Sequence, residues 1–299
     1  MYRALDAALA AVEAAPPLAR AAVLITAALV GALGFALLSV AYERAAYAGY
    51  AFLERLGLID RLIPGITPTA TDYQKETFRA FVFSLWPALL LIFYNLRPLL
   101  ACAAPDWNPL TVLAGVWVLS ILHDPWFWAV HATLHRFKPL YRKIHHQHHD
   151  HPWGDMSLHQ TADMHFVEAF ALTMGFYAAC LVLALNLWGS WNPVLFYAYI
   201  AVEANMNMGG HCGYHMPAWL QLLVTAGVGN TPWSASSLTH YIHHLDPSKN
   251  RALYFTWVDK LAGTYRASHP KIKPIADPVE YNRRPLRLAA KLIAARWGA

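Results

Sequence analysis

The chain alternates between long apolar runs and shorter polar segments. The clearest run is residues 21–42, AAVLITAALVGALGFALLSVAY, which has 22 residues and no charge. At about 1.5 Å per residue, a helix of this length crosses a hydrocarbon core about 30 Å thick. The apolar core of a signal peptide is shorter, about 7–15 residues, so the run predicts a membrane anchor.

Four further apolar runs predict additional spans, at about residues 80–95, 110–130, 166–187 and 193–208. Residues 43–77 first alternate apolar and charged positions and then become rich in Pro and Thr, which predicts an interfacial helix followed by a loop. The pattern therefore predicts an all-α, integral membrane helical bundle with about four to five transmembrane helices. We divide the chain into N-terminal membrane helices (1–109), a catalytic domain (110–266) and a basic C-terminal tail (267–299).

Composition and charge support a membrane protein and give it an orientation. Hydrophobic residues make up 57% of the chain and the mean hydropathy is +0.29. With five spans, 20 of the 23 Lys and Arg residues fall on one side, which the positive-inside rule makes cytoplasmic, together with the C-terminus. Lipid headgroups explain the net charge of +5, so we expect no nucleic-acid partner. The Ala- and Arg-rich composition, without an evident ER-retrieval signal, favours a bacterial inner membrane.

Histidines recur in four groups with spacings suited to metal binding. Two are i, i+4 pairs and two are H-x-x-H-H motifs: His131 and His135; His145, His148 and His149; His211 and His215; His240, His243 and His244. On a helix such spacing places the members of a group on one face, where neutral imidazoles can converge on an ion. Ten imidazoles exceed the needs of one tetrahedral zinc, so we expect two metal ions, with a pH-sensing or structural cluster as the alternative. A short uncharged turn near residues 186–192 brings all four groups to the cytoplasmic face, as a histidine-rich cap.

Other polar residues near these groups are candidates for supporting or catalytic roles. Asp124 lies seven residues before His131, on the same helical face, and can orient a ligand imidazole or make a structural hydrogen bond. His165 and Glu168 form an H-x-x-E pair that can serve as a ligand, as a proton path or as a helix cap. Glu203 lies inside an apolar run and needs a partner. His146 and His151 lie off the repeated spacing, so we expect them to be exposed or to support ligands.

The motifs between Asp124 and Thr264 resemble a known family. DPWFWAVHATLH, LYRKIHHQHH, HFVE, HCGYHMP, HYIHH and FTWVDKLAGTY occur in the order found in the fatty acid hydroxylase and sterol desaturase superfamily of membrane di-iron enzymes. The resemblance implies that the ten histidines above bind two iron ions and that O2 is a co-substrate. Sterol-modifying members usually have an arginine after the first motif histidine, where this chain has Ala132, which weakens the case for a sterol. The first box and the closing motif are less similar to those of acyl-CoA desaturases.

The resemblance also implies a reaction. The chain has no dinucleotide, P-loop or serine-hydrolase motif, and its three scattered cysteines form no C-x-x-C. We therefore expect O2-dependent hydroxylation of a membrane lipid (fatty-acyl, sphingoid, aminolipid or sterol), with desaturation as the close alternative. Electrons would come from a ferredoxin-like or cytochrome-type donor and its reductase, docked on basic residues 136–143 and the tail. Transport and non-catalytic zinc binding are the alternatives from other classes.

Overall fold

The computed structural model describes residues 10–12, 14–66, 106–150, 161, 163–188 and 191–297. Regular structure in these ranges is helical, with two isolated β-bridges that join Arg61 to Tyr214 and Ser234 to Phe255. The all-α prediction is confirmed for this part of the chain. The predicted span at residues 80–95 lies outside it.

Two long apolar helices begin the described fold, α1 (Pro17–Arg55) and α2 (Pro109–Arg136). The 39 residues of α1 extend about 58 Å, so it contains the predicted span 21–42 and continues far beyond it. Residues 43–55 of the predicted interfacial helix are helical, and they continue α1 without a break. Large apolar side chains such as Val30 (64% exposed) and Leu38 (71%) face outward from α1, as lipid contact requires.

The remaining helices are shorter. They are α3 (Lys138–Leu140), α4 (His146–His149), α5 (Phe166–Ala169), α6 (Gly175–Trp188), α7 (Pro193–Gly210), α8 (Ala218–Val224), α9 (Ser237–Leu245), α10 (Trp257–Leu261) and α11 (Pro278–Trp297). A π-helical turn at Tyr141–His145 joins α3 to α4, and another at Phe170–Met174 joins α5 to α6. In the described part of the chain, α1 and α2 alone combine the length and apolar character needed to cross a membrane, so five crossings stay a prediction.

Helices α2 and α7 run side by side in the same direction. Each begins with Asn-Pro, and the amide oxygens of Asn108 and Asn192 accept hydrogen bonds from backbone N–H groups two residues later, both at 3.0 Å. The Asn192 side chain also donates to the carbonyl of Asp106 at 3.2 Å, which ties the two helix starts together. The C-terminal ends of both helices consequently reach the same end of the bundle.

The second π-helical turn packs against α2 through its carbonyl groups. A π turn takes carbonyls out of the regular i→i+4 ladder and makes them available to side chains. The carbonyl of Ala171 accepts from Trp126 Nε1 at 2.8 Å, and the carbonyl of Leu172 accepts from His123 Nε2 at 2.7 Å. These bonds fix α5 and α6 against the middle of α2.

The C-terminal tail packs on segments from both other parts of the chain. The hydroxyl of Tyr281 in α11 donates to the carbonyl of His215 at 2.8 Å and accepts from the backbone N–H of Asp60 at 3.0 Å. The guanidinium of Arg284 makes two 3.0 Å hydrogen bonds to the carboxylate of Asp60. The tail, described to residue 297, is thus bound to a segment that precedes the histidine motifs and to one that lies between them.

Tyr281→Phe should destabilise this junction while keeping the aromatic ring. Removing the hydroxyl leaves a buried carbonyl and a backbone N–H without their partner, a loss of about 1–3 kcal/mol. Thermal unfolding in detergent measures the change. Arg287→Ala is the control, because its ion pair with Glu280 is exposed and worth about 0–1 kcal/mol. Equal losses in the two variants would contradict the role given to the hydroxyl.

Candidate metal centre

Nine of the ten predicted histidines meet in two adjacent groups. The five-histidine group contains His131, His135, His145, His149 and His243, and the four-histidine group contains His148, His211, His240 and His244. Within each group, one nitrogen from every imidazole lies within 4.8 Å of all the others. The described residues thus provide two places where a cation would meet several nitrogen donors.

Each H-x-x-H-H motif contributes to both groups. His149 belongs to the five-histidine group and its neighbour His148 to the other; His243 and His244 divide in the same way. At 3.6 residues per turn, adjacent side chains point about 100° apart, whereas residues four apart differ by about 40°. The expectation that one motif converges on one ion is therefore wrong, since the adjacent pair in each motif links the two groups.

His215 lies outside both groups. Helix α7 ends at Gly210, so the segment from His211 to His215 is not helical and the i, i+4 argument does not apply. His215 instead lies beside Tyr214, which bridges to Arg61, and its Nε2 donates to the carbonyl of Lys273 at 2.7 Å. The structure places this imidazole in the junction with the tail.

Four imidazoles have their Nδ1 atom held by an acceptor. The pairs are His131 with the carbonyl of Arg251 (2.9 Å), His243 with that of Lys249 (2.7 Å), His211 with that of Asn207 (2.8 Å) and His145 with the Glu168 carboxylate (2.6 Å). A carbonyl or carboxylate oxygen only accepts, so each Nδ1 carries the proton. In the neutral imidazole, Nε2 then presents a lone pair to the group.

The Nε2 atoms approach one another as donors around an ion do. In the five-histidine group, Nε2 of His135 lies 2.9 Å from that of His145 and 3.3 Å from that of His131. In the four-histidine group, the separations that involve His240 are 3.0 and 3.2 Å. Nitrogens bound to one ion at about 2.1 Å are about 3.0–3.4 Å apart, so the residues fit a metal.

Protonation does not explain this convergence. Burial lowers the pKa of His145 and of His240 to about 3. Burial and neighbouring imidazoles also hold the pKa of His149, His243 and His244 well below the usual value. These side chains are neutral near pH 7, so a cation is what relieves the repulsion between their lone pairs.

The predicted carboxylates support the groups from outside. Glu168 lies behind His145 and holds its Nδ1 proton, which is the orienting role expected of a partner to a ligand imidazole. Asp124 does not orient an imidazole: its carboxylate accepts the backbone N–H groups of Leu253, Tyr254 and Phe255 at 3.0, 2.7 and 3.2 Å. Asp124 thus makes structural hydrogen bonds, the second of the two roles considered for it.

A second aspartate completes this arrangement. The carboxylate of Asp259 accepts the backbone N–H groups of Arg251 and Ala252, both at 3.0 Å, and the indole N–H of Trp128 at 3.0 Å. Five successive N–H groups, from residue 251 to residue 255, therefore bind two aspartates. Asp259 belongs to the closing motif, but its role in binding backbone N–H groups was not predicted. The groups that it positions are backbone carbonyls, which carry no signal in the sequence.

The remaining candidates have local partners. His165 Nδ1 accepts from the N–H of Val167 at 3.2 Å, which is the helix-cap alternative, and Glu203 accepts from the hydroxyl of Thr173 at 2.9 Å. His146 is exposed, as expected from its place in the motif. His151 lies outside the described residues.

Comparisons with known proteins agree with this geometry. The family model described as fatty acid hydroxylase matches residues 116–264. A cholesterol 25-hydroxylase-like protein of Danio rerio is 30% identical over 229 residues, which cover 69% of this chain and 82% of that protein. Cholesterol 25-hydroxylase of Homo sapiens is 28% identical over 211 residues, covering 70% and 72% of the two chains.

A third relative matches over a shorter range. Methylsterol monooxygenase 1 of Gallus gallus is 29% identical over 162 residues, which cover 54% of this chain and 48% of that protein. The chain thus spans about half the length of this relative. No solved structure gives a significant match.

Gly210→Ala should weaken the four-histidine group. A Cβ atom at residue 210 would lie 3.1 Å from Cγ and Cδ2 of His240, so that imidazole must move by a few tenths of an ångström. We expect Gly210→Ala to lose about one bound metal ion per chain in equilibrium dialysis, since displaced ligands bind more weakly. Gly209→Ala is the matched control, because a Cβ there meets nothing within 4 Å. Equal metal retention in the two variants would contradict the assignment.

The metal-free protein should lose stability in acid. His145 and His240 have pKa values of about 3 when folded, against about 6.5 in the unfolded chain, so below pH 6.5 the unfolded state takes up protons first. Stability falls with falling pH between these values, by about 1.4 kcal/mol per pH unit for each such histidine. Unfolding of chelator-treated protein measures the slope. His145→Asn should reduce it and His146→Asn should not; an unchanged slope in His145→Asn would count against the assignment.

Proposed function

The chain belongs to the fatty acid hydroxylase family, and we propose that it uses O2 to hydroxylate a C–H bond of a membrane lipid at a centre of two irons. The observation that carries this proposal is the convergence of nine imidazoles in two adjacent groups. Two groups with at least four nitrogen donors each provide for two ions, and imidazole suits iron among other metals. When bound, the iron pair would supply the activation of O2 and the oxidation of an unactivated C–H bond.

The protein's own residues hold the ligands and exclude water. His131, His145 and His243 are at most 2% exposed, so bulk water does not compete at their Nε2 atoms. The backbone carbonyls behind His131 and His243 and the carboxylate of Glu168 keep the Nδ1 protons in place. Each imidazole is thus fixed in one tautomer and one orientation before a metal binds.

We infer that a lipid approaches the four-histidine group at a small cleft, which has room for about one water molecule. Gly209, Gly210, Met216 and Ser236 line it, and His240 forms part of its wall. Asn205 lies at the edge of the cleft and accepts a hydrogen bond from Tyr42 of α1, so a lipid-facing helix borders the opening. We infer that a substrate would approach on this side, from the bilayer, with its apolar part still in lipid.

The substrate class is a fatty-acyl lipid, sphingoid base, aminolipid or sterol. The relatives named above carry names that refer to cholesterol and methylsterol. A sterol therefore stays within the proposal, although Ala132 replaces the arginine usual in sterol-modifying members. Desaturation of the lipid is the alternative reaction, because removal of a hydrogen atom begins both.

An external donor would supply the electrons. Arg136, Lys138, Arg142 and Lys143 are exposed and lie beside the segment that carries His145. We propose that they bind an acidic ferredoxin-like or cytochrome-type protein, since opposite charge speeds and orients such encounters. We also propose that the histidine groups belong to a catalytic domain of residues 110–266. In this proposal, the groups and the C-terminus lie on the cytoplasmic side of a bacterial inner membrane.

Metal and lipid analysis of the same preparation tests the function. We expect about two irons per chain in the purified protein, since each group has the donors for one ion. Cells that express the chain under air should accumulate a lipid heavier by one oxygen atom, detected by mass spectrometry and labelled by 18O2. A lipid lighter by two hydrogen atoms would instead establish desaturation.

Two neighbouring histidines give a matched pair of variants. His145→Ala removes a buried member of the five-histidine group, whereas His146→Ala removes the exposed histidine next to it. The first should lose iron and product and the second should keep both. Zinc as the sole bound metal, with no O2-dependent change in any lipid, would overturn the oxygenase proposal.

A further inference from the structure

A buried chain of hydrogen bonds joins two tyrosines to His123, apart from both histidine groups. His123 Nδ1 lies 2.6 Å from the hydroxyl of Tyr199, which lies 2.8 Å from the hydroxyl of Tyr254. On its other side, His123 Nε2 is 2.7 Å from the carbonyl of Leu172. The side chains of His123, Tyr199 and Tyr254 are each at most 1% exposed.

The carbonyl of Leu172 sets the tautomer of His123. The carbonyl of Leu172 only accepts, so His123 Nε2 carries the imidazole proton and Nδ1 is an acceptor. The hydroxyl of Tyr199 lies 2.6 Å from Nδ1, whereas the hydroxyl of Tyr254 lies 3.2 Å from it. We therefore assign Tyr199 as the donor to His123 Nδ1, with Tyr254 donating to the oxygen of Tyr199 at 2.8 Å. Tyr199 is thus a phenol whose proton points at a base along a short hydrogen bond.

Aromatic rings enclose this pair. The ring of Phe176 stacks on His123 with centroids 4.1 Å apart, and the ring of Phe127 meets it edge-on at 6.1 Å. The ring of Tyr177 lies 5.9 Å from that of Tyr199. Apolar walls of this kind keep water and small reductants away from Tyr199.

The same rings connect the pair to the five-histidine group. Phe127 lies between His123 and His131 in α2, with its centroid 5.5 Å from that of His131. His123 and His131 are eight residues apart on one helix, or about 12 Å along its axis. Tyr254 lies three residues after Arg251, and the carbonyl of Arg251 accepts the hydrogen bond from His131. An unbroken path of contacts therefore leads from the proposed metal centre to Tyr199.

We propose that Tyr199 is a redox-active tyrosine that gives up an electron to the proposed metal centre when an oxidising equivalent forms there without a substrate C–H bond to consume it. This inference rests on the proposed function. Tyr199 loses one electron to the centre, and its phenolic proton moves to His123 Nδ1, which leaves a neutral tyrosyl radical and an imidazolium. An electron from the external donor and the return of the proton restore the phenol. This transfer of an electron and a proton, which we call the relay, thereby protects the ligand imidazoles from oxidation.

Tyr177 shows why the assignment falls on Tyr199. Both rings are buried and they pack against each other. The hydroxyl of Tyr177 has no hydrogen-bond partner among the described residues, so its oxidation would leave a proton with no base to receive it. Tyr177→Phe therefore serves as the matched control for Tyr199→Phe.

The first experiment uses the full-length chain loaded with zinc, which is redox-silent, in detergent. A light-driven ruthenium oxidant is added and the radicals are trapped by freezing for EPR. We expect a tyrosyl component whose electron–nuclear double resonance spectrum shows an exchangeable proton hydrogen-bonded to the phenoxyl oxygen. Tyr199→Phe should lose this component and Tyr177→Phe should keep it. The same component at full intensity in Tyr199→Phe would overturn the assignment.

The second experiment uses the iron-loaded, reduced chain mixed with O2 in the absence of lipid substrate. We expect the same radical, lost in Tyr199→Phe, together with faster oxidation of the ligand histidines in that variant by peptide mass spectrometry. Oxygen consumption without the radical would overturn the relay. Failure to consume O2 would overturn the proposed function and with it the relay, while the light-driven signal would still show whether Tyr199 is the residue oxidised.

Discussion

The metal centre depends on fixing the proton of four of its imidazoles at Nδ1. His131, His243 and His211 donate to backbone carbonyls and His145 to Glu168, so their Nε2 lone pairs all point inward. Without those acceptors an imidazole can change tautomer and present an N–H to its neighbours. Nitrogen lone pairs 2.9–3.3 Å apart in a dry site repel one another, and a cation bound between them would relieve that repulsion.

Two aspartates hold the segment that supplies one of those acceptors, the carbonyl of Arg251. Residues 251–255 have no regular secondary structure, yet their five N–H groups are all bound by the carboxylates of Asp124 and Asp259. A buried irregular segment is tolerated only when its backbone polar groups are satisfied in this way. The carboxylates of α2 and α10 thus position a carbonyl that in turn positions His131.

Local spacing predicted most of the site, and the failures have physical causes. The pairs within α2 and within α9 met as expected because those residues are helical. His215 does not join His211 in the same group, because α7 ends at Gly210 and the sequence did not predict that end. The division of each H-x-x-H-H motif needed three-dimensional packing of α4 against α9, and the carbonyl acceptors carry no residue-type signal. The fold class was predictable from apolar runs, whereas the length of α1 was not, because charged residues in 43–55 concealed its continuation.

The arrangement of α2 and α7 explains why the groups lie where they do. Their Asn-Pro starts are tied together, so both C-terminal ends point toward the histidines. The carbonyl-rich end of a helix carries a partial negative charge, which favours a cation nearby. His131 and His135 occupy the last turns of α2, and His211 caps α7. Two parallel helices therefore supply both the imidazoles and a favourable electrostatic field at one end of the bundle. The hydrogen bond between Tyr199 and His123 lies further back between the same helices.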